Sequence, residues 1–174
     1  MIFLYIIGAI VLLFVLLALI APKKYEVYRS IIINKPVPEV FNYLKHIKNQ
    51  DHWSPWKKKD PNMTQEFIGT DGEVGFISKW EGNKEVGTGE QEIMNIVEND
   101  RVEARLRFFK PWKSESDAVT KVEDAREGKT KVTWGFSGTN KVPANIFMML
   151  YNVDKHVGKD FEEGLASLKD ILEN

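Results

Sequence analysis

The sequence predicts an α+β protein: one membrane-crossing helix, then a single domain in which an antiparallel sheet of about seven strands is covered by a long C-terminal helix. Three features predict it. Met1 to Ala21 carries no charged side chain and is almost wholly Leu, Ile, Val, Phe and Ala. Between Met63 and Gly138, short runs rich in β-branched, aromatic and alternating residues are separated by turn formers. From Val157 to Leu172, apolar residues recur at helical spacing.

The N-terminal run sets the location. At about 1.5 Å of rise per residue it reaches roughly 30 Å as a helix, the thickness of bilayer hydrocarbon, where a backbone must satisfy its own hydrogen bonds. A cleaved secretory signal fits less well. Such a signal wants Lys or Arg ahead of a shorter apolar core and small residues at its end, whereas no basic residue precedes Lys23 and the run closes Ala18-Leu19-Ile20-Ala21. Lys23, Lys24 and Arg29 follow the run and only the α-amino group precedes it, so the positive-inside rule puts everything after Pro22 in the cytoplasm. The expectation is a single-pass membrane protein, with residues 1–22 as anchor, 23–174 as domain, and the lipid bilayer as partner of Ile2 to Ala21.

About 150 residues follow the anchor, enough for one domain with a sizeable core. The 24 Lys plus Arg nearly balance 25 Asp plus Glu, so no global basic field draws the chain to nucleic acid, and none is expected as a partner. The chain has no cysteine, which excludes disulfides, thiol catalysis and cysteine-ligated metals.

Tyr25 to Ile33 has the β-branched and aromatic content of a strand, stopped by Asn34-Lys35-Pro36. Val37, Val40, Phe41, Leu44 and Ile47 recur at three- and four-residue spacing, which predicts a helix to about Lys48 with Pro38 near its start. Asn49 to Trp56 reads as a short irregular or helical piece. Strands follow near Met63–Ile68, Gly75–Glu81, Gly87–Val97, Arg101–Phe109, Ser114–Ala125 and Lys129–Gly138, joined by short turns that imply an antiparallel meander. Val102, Ala104, Leu106 and Phe108 alternate to one side, as do Val132, Trp134 and Phe136, so one face is covered. The cover is a helix with Val157, Phe161, Leu165, Leu168 and Leu172 on one stripe. Gly158 and Gly164 at the stripe's edges imply close packing against a strand or a gap beside a cavity. Asp154 either caps that helix or faces a pocket.

The element order, with Pro36-Val37-Pro38-Glu39-Val40-Phe41-Asn42-Tyr43-Leu44, then Trp53-Ser54-Pro55-Trp56, then Gly158 to Lys169 at the end, resembles the SRPBCC superfamily and specifically its polyketide-cyclase/dehydrase-like branch. The resemblance covers nearly everything after the anchor. It implies the helix-grip, or START-like, fold, in which a curved sheet grips the terminal helix and leaves a hydrophobic cavity. These motifs are packing patterns, so the resemblance implies a pocket more than a reaction.

The aromatics suit such a pocket. Trp53, Trp56, Phe76, Trp80, Phe108, Trp134, Phe136, Phe147 and Phe161 are candidates to line it, although each ring serves equally well as core. Arg105, Arg107, Glu81, His52, Ser116 and Asp117 are the polar candidates, and a single bulge would reverse their facing. Catalytic signals are weak. His46 and His156 are turned away from the apolar helix faces, no histidine pair has metal-ligand spacing, and Gly135-Phe136-Ser137-Gly138 and Gly87-Thr88-Gly89 lack the full patterns of a nucleophile elbow and a dinucleotide loop. No cofactor, metal site or catalytic residue is expected from these patterns.

Two segments, Trp53 to Lys59 and Phe108 to Lys113, combine tryptophan, proline and lysine. Both suit a membrane interface, and both suit a Trp folded under a proline loop. The function expected is binding of a hydrophobic small molecule or lipid in a cavity. A cyclase/dehydrase-like enzyme and a stress-related interaction protein with no ligand are the alternatives.

Overall fold

The computed structural model describes residues 2–140, 142, 145–146 and 153–174. Helix α1, Ile2–Ile20, is apolar all round, with a mean hydropathy of 3.1, and only Ala18 of it is buried. It is long and apolar enough to cross a membrane. Its C-terminal end is fastened to the domain: Asn145 Nδ2 donates to Ala18 O at 2.9 Å and to Ala21 O at 3.2 Å, and Ile146 packs on Ala18 and Ala21. Those bonds satisfy carbonyls that the end of a helix leaves open.

The sheet holds seven strands: β1 Lys24–Ile33, β2 Thr64–Ile68, β3 Ile77–Glu81, β4 Thr88–Val97, β5 Arg101–Lys110, β6 Ser114–Asp124 and β7 Thr130–Thr139. Every neighbour is antiparallel and the order is β1-β7-β6-β5-β4-β3-β2. Thus β2 to β7 form the expected meander, and β1 docks beside β7. The register has two bulges between β4 and β5, where Met94 and Phe109 are each the extra residue. The first changes which parity of β4 faces inward, from Gln91 and Ile93 to Ile96.

Between the two edge strands run α2 Val37–Leu44, a 3₁₀ turn Ile47–Asn49, α3 Gln50–Trp53 and α4 Pro55–Lys59. The expected continuation of α2 to Lys48 does not occur. His46 adopts an extended backbone, and the carboxylate of Asp71, from a turn far along the chain, accepts from Ile47 N at 2.8 Å to start the 3₁₀ turn.

Helix α5, Val153–Glu173, lies along β1 with Gly158, Phe161, Gly164, Leu165 and Leu168 buried. Polar contacts fix it to that edge. Arg29 pairs with Asp154 at 2.9 Å and Glu162 at 2.6 Å, Lys169 Nζ donates to Ile32 O at 2.8 Å, and Asn34 N donates to Glu173 Oε1 at 2.6 Å. They also occupy an edge that would otherwise offer open backbone groups. Asp154 therefore meets neither expectation: it is an exposed carboxylate in the first turn of α5, held by Arg29.

The inner face of the sheet divides into two halves. In the half farther from α1, Ile33, Ile93, Val102, Val122 and Val132 pack with Val40, Phe41, Leu44, Leu165 and Leu168 into a solid core. The half nearer α1 is packed differently.

Candidate functional site

In the near half, the sheet and α5 stand apart around a cavity of about 280 Å³. Strand alternation builds its floor. Ser78 and Trp80 of β3, Gln91 of β4, Leu106 and Phe108 of β5, Ala118 of β6, and Trp134 and Phe136 of β7 point into it, while Val157 and Phe161 of α5 and Trp56 of α4 close the other side. The rings meet along the wall: Trp134 and Phe161 are tilted with centroids 4.4 Å apart, and Trp56 and Trp134 at 5.5 Å and Trp80 and Phe108 at 5.6 Å meet edge to face. Trp134 and Phe161 thus belong both to the packed core and to the cavity wall.

Six of the nine candidate rings border the cavity: Trp56, Trp80, Phe108, Trp134, Phe136 and Phe161. Trp53 and Phe76 do not. Trp53 is buried in the core with its ring 4.5 Å from Trp134, and Phe76 is buried against Phe67 at 6.0 Å, in the far half of the sheet. Phe147 lies outside the described residues. Gly164 permits close packing at the wall: a Cβ there would stand 2.8 Å from Cζ3 of Trp134. Gly158 does the same over Arg29, where a Cβ would stand 2.1 Å from Nη2.

None of the six polar candidates borders the cavity. Arg105 and Arg107 lie on the opposite parity of β5 from Leu106 and Phe108, so they point to the outer face. There Arg105 pairs with Glu115 and Asp117, and Arg107 with Glu90 and Glu92, whose hydrogen bonds raise its guanidinium pKa. Glu81 is exposed at the end of β3, Ser116 Oγ stands 2.7 Å from the Tyr25 hydroxyl, and His52 is exposed. The polar wall is instead formed by residues that sequence reasoning missed. Gln65 Nε2 donates to Asp51 Oδ1 at 2.8 Å, and Lys57 Nζ donates to Gln65 Oε1 at 2.9 Å, which fixes the amide's orientation from both sides. Ser78 and Gln91, opposite each other in the β3–β4 register, add further polar atoms. Ser78 shares the parity of Trp80, a signal that was available. Asp51 and Lys57 are brought together only by the folding of α3 and α4.

No family model matches the chain, and no curated protein does. Many solved structures match its fold. The Aha1 dimer from Colwellia psychrerythraea is 20% identical, covering 86% of this chain and 96% of that one, with a TM-score of 0.57. Ara h 8.0201 is 14% identical over 86% of this chain and 97% of that one, with a TM-score of 0.53. The di-domain ARO/CYC protein StfQ from the steffimycin biosynthetic pathway is 10% identical over 87% of this chain and 51% of that one, with a TM-score of 0.62. The fold is thus the Bet v1-like, helix-grip fold, with a curved seven-stranded antiparallel sheet and a long C-terminal helix.

Proposed function

We propose that this chain is a membrane-anchored binding domain that holds a hydrophobic small molecule or lipid between the sheet and α5, with α1 crossing the bilayer and the domain on its cytoplasmic side. One observation carries the reading: a void of about 280 Å³ remains between Trp80 and Phe108 on the sheet and the packed Trp134–Phe161 pair beside α5. Apolar surface entering that void supplies about 25 cal/mol per Å² before association costs. The polar end of an amphipathic ligand, a hydroxyl or carboxyl, meets Lys57, Gln65 and Asp51. The neighbours named as ARO/CYC and Ara h 8.0201 share the fold that houses such a cavity.

The test is identification of what co-purifies with the full chain, compared with Ala118→Phe and, separately, Leu106→Trp, each of which fills the void from the sheet side. Lipid held around α1 is the same in all three proteins. A molecule present near one per chain in the wild type and lost from both folded variants supports the reading, and identical extracts from all three refute it. A reporter fused after Asn174 decides the side of the membrane.

The enzymatic alternative has the Asp51–Gln65–Lys57 network on the cavity wall in its favour. Turnover lost in both Asp51→Asn and Lys57→Met, with ligand retained, would place catalysis above binding. His52 and Asp154 are not among the residues that line the cavity.

A further inference from the structure

The β5–β6 hairpin tip, residues 110–113, belongs to neither the core nor the cavity. Trp112 at this tip is 79% exposed, and the bulged Phe109 beside it is also exposed. An indole so open to solvent, on a turn between two well-paired strands, contributes little to the fold. Its counterpart in the sequence, Trp53 to Lys59, folds into α3 and α4 with Trp53 buried and Trp56 half-buried on the cavity wall. Only the second Trp-Pro-Lys segment is left facing outward.

Its position follows from the register. Lys24, the first residue of β1, pairs with Thr139; Gly138 with Ser116; Ser114 with Phe108; and Lys110 with Thr88. The hairpin tip is therefore at the end of the sheet where α1 joins. Three strand spacings separate β1 from β5, so the tip is on the order of 15 Å from the point where the chain leaves α1. Asn145 fastens the last turn of α1 to the domain, so this end of the domain is held toward whatever α1 enters. The β3–β4 turn, with Val86 and Glu85 on the cavity wall, lies at the same end.

The charges there match an anionic surface. Lys23, Lys24, Lys84 and Lys113 have no ion-pair partner among the described residues, and Lys110 is 71% exposed at 3.8 Å from Glu81. Of the carboxylates at this end, Glu81 faces Lys110, Glu85 is 3.6 Å from Lys59, Glu115 pairs with Arg105 at 2.9 Å, and Glu26 is exposed. Indole rings favour the headgroup level of a bilayer, and lysines near it are drawn to anionic lipid.

We propose that Trp112 and Phe109 insert into the headgroup region of the same bilayer that α1 crosses, with Lys110 and Lys113 on anionic lipid, so that the cavity opens toward the membrane and takes its ligand from it. This rests on the anchored-binder reading above and narrows its ligand class. A cavity of about 280 Å³ is just below the usual size of small-molecule sites, about 300–1,000 Å³, so the occupant is a small or single-chain apolar constituent of the membrane rather than a two-chain phospholipid.

The absence of cysteine makes labelling unambiguous. The full chain is reconstituted in nanodiscs of phosphatidylcholine with phosphatidylserine, carrying a nitrobenzoxadiazole on Trp112→Cys or, as control, on Glu127→Cys in the β6–β7 turn at the opposite end. With headgroup spin-labelled lipid, the probe at 112 is expected to lose roughly half its emission and the probe at 127 none, because only the first sits at headgroup depth. Raising the salt to about 1 M shortens the screening length to about 3 Å and is expected to reduce quenching at 112. Equal quenching at both sites, or none at 112, overturns the docking. So does a blue shift at 112 that grows with protein concentration and ignores the spin label, which would mark a second copy of the chain as the occupant. Ligand loss in Ala118→Phe is read separately, so quenching at 112 without a co-purifying molecule leaves docking standing and sinks the binder. A bound molecule without quenching does the reverse.

Discussion

A methyl group at Gly164 would stand 2.8 Å from Cζ3 of Trp134 and 3.2 Å from Cδ of Pro55, closer than packing allows. Gly164→Ala gains about 1 kcal/mol of helix propensity, whereas overpacking costs about 1–3 kcal/mol if nothing yields. Trp134 is flanked by Trp53, Trp56 and Phe161, so the space open to it is the cavity. The ring is expected to shift there. The variant should therefore unfold within a few degrees of the wild type, a net loss of about 0–2 kcal/mol, while its co-purifying ligand falls several-fold. A thermal melt and the ligand extract check the two halves; a large drop in melting temperature with ligand retained would show that the ring cannot move. The glycine was legible as a packing feature because it interrupts an apolar stripe. Its partner was not, since nothing local says that Trp134, rather than Trp53 or Trp56, lies over it. The same limit applies to Asp51 and Lys57, whose meeting through Gln65 needs two short helices whose angle no periodicity encodes.

Strands were the most legible elements, because alternation over ten residues with turn formers at both ends leaves few other structures available; β5 and β7 show it best. Helix α2 was overextended because the carboxylate that ends the pattern, Asp71, comes from a distant turn. Facing along β4 was illegible past Met94, where the bulge exchanges parity. The clamp of α5 on β1 carries a prediction of its own. Asn34 N–H on its carboxylate holds the Glu173 pKa below the ordinary carboxylate range. A carboxyl depressed in the folded chain adds stability that is complete above its unfolded pKa, about 4.3, and is lost as pH falls through the lower folded value. The difference in melting temperature between wild type and Glu173→Gln should thus be constant near neutrality and shrink below about pH 4. Lys169, paired with Glu173 at 3.4 Å, is also bonded to Ile32 O, a contact that does not involve the carboxylate. A gap independent of pH would remove the carboxylate from the clamp.

At the scale of the whole molecule, a charge-free run of apolar residues announces by itself a helix long and apolar enough to cross a membrane, but its seat on the domain depends on Asn145, which is separated from Ala18 by 127 positions and belongs to no motif. In the anchored reading proposed above, that seat sets how the domain sits on a bilayer. Asn145 is fully buried, its Oδ1 has no hydrogen-bond partner among the described residues, and its two donated bonds go to α1. Each such bond is worth about 1 kcal/mol net, and Asn145→Ala would leave the Ala18 and Ala21 carbonyls without that donor, a loss of about 1–3 kcal/mol. Asn145→Asp is the sharper change. It keeps the shape but turns the donor into a carboxylate oxygen facing the carbonyls of Ala18 and Ala21, a buried charge against two acceptors. The last turn of α1 should then leave the domain, while the sheet and α5, which do not depend on that contact, keep their melting temperature. Spin labels on Leu16→Cys and Glu26→Cys in the full chain read this directly: the distance distribution is narrow when position 145 is Asn and broad in Asn145→Asp. An unchanged narrow distribution would assign the rigidity to the short 21–23 connection instead. In the docking proposed above, the hairpin reaches the bilayer only while α1 and the sheet keep a fixed angle, so headgroup quenching at position 112 should fall together with the seat.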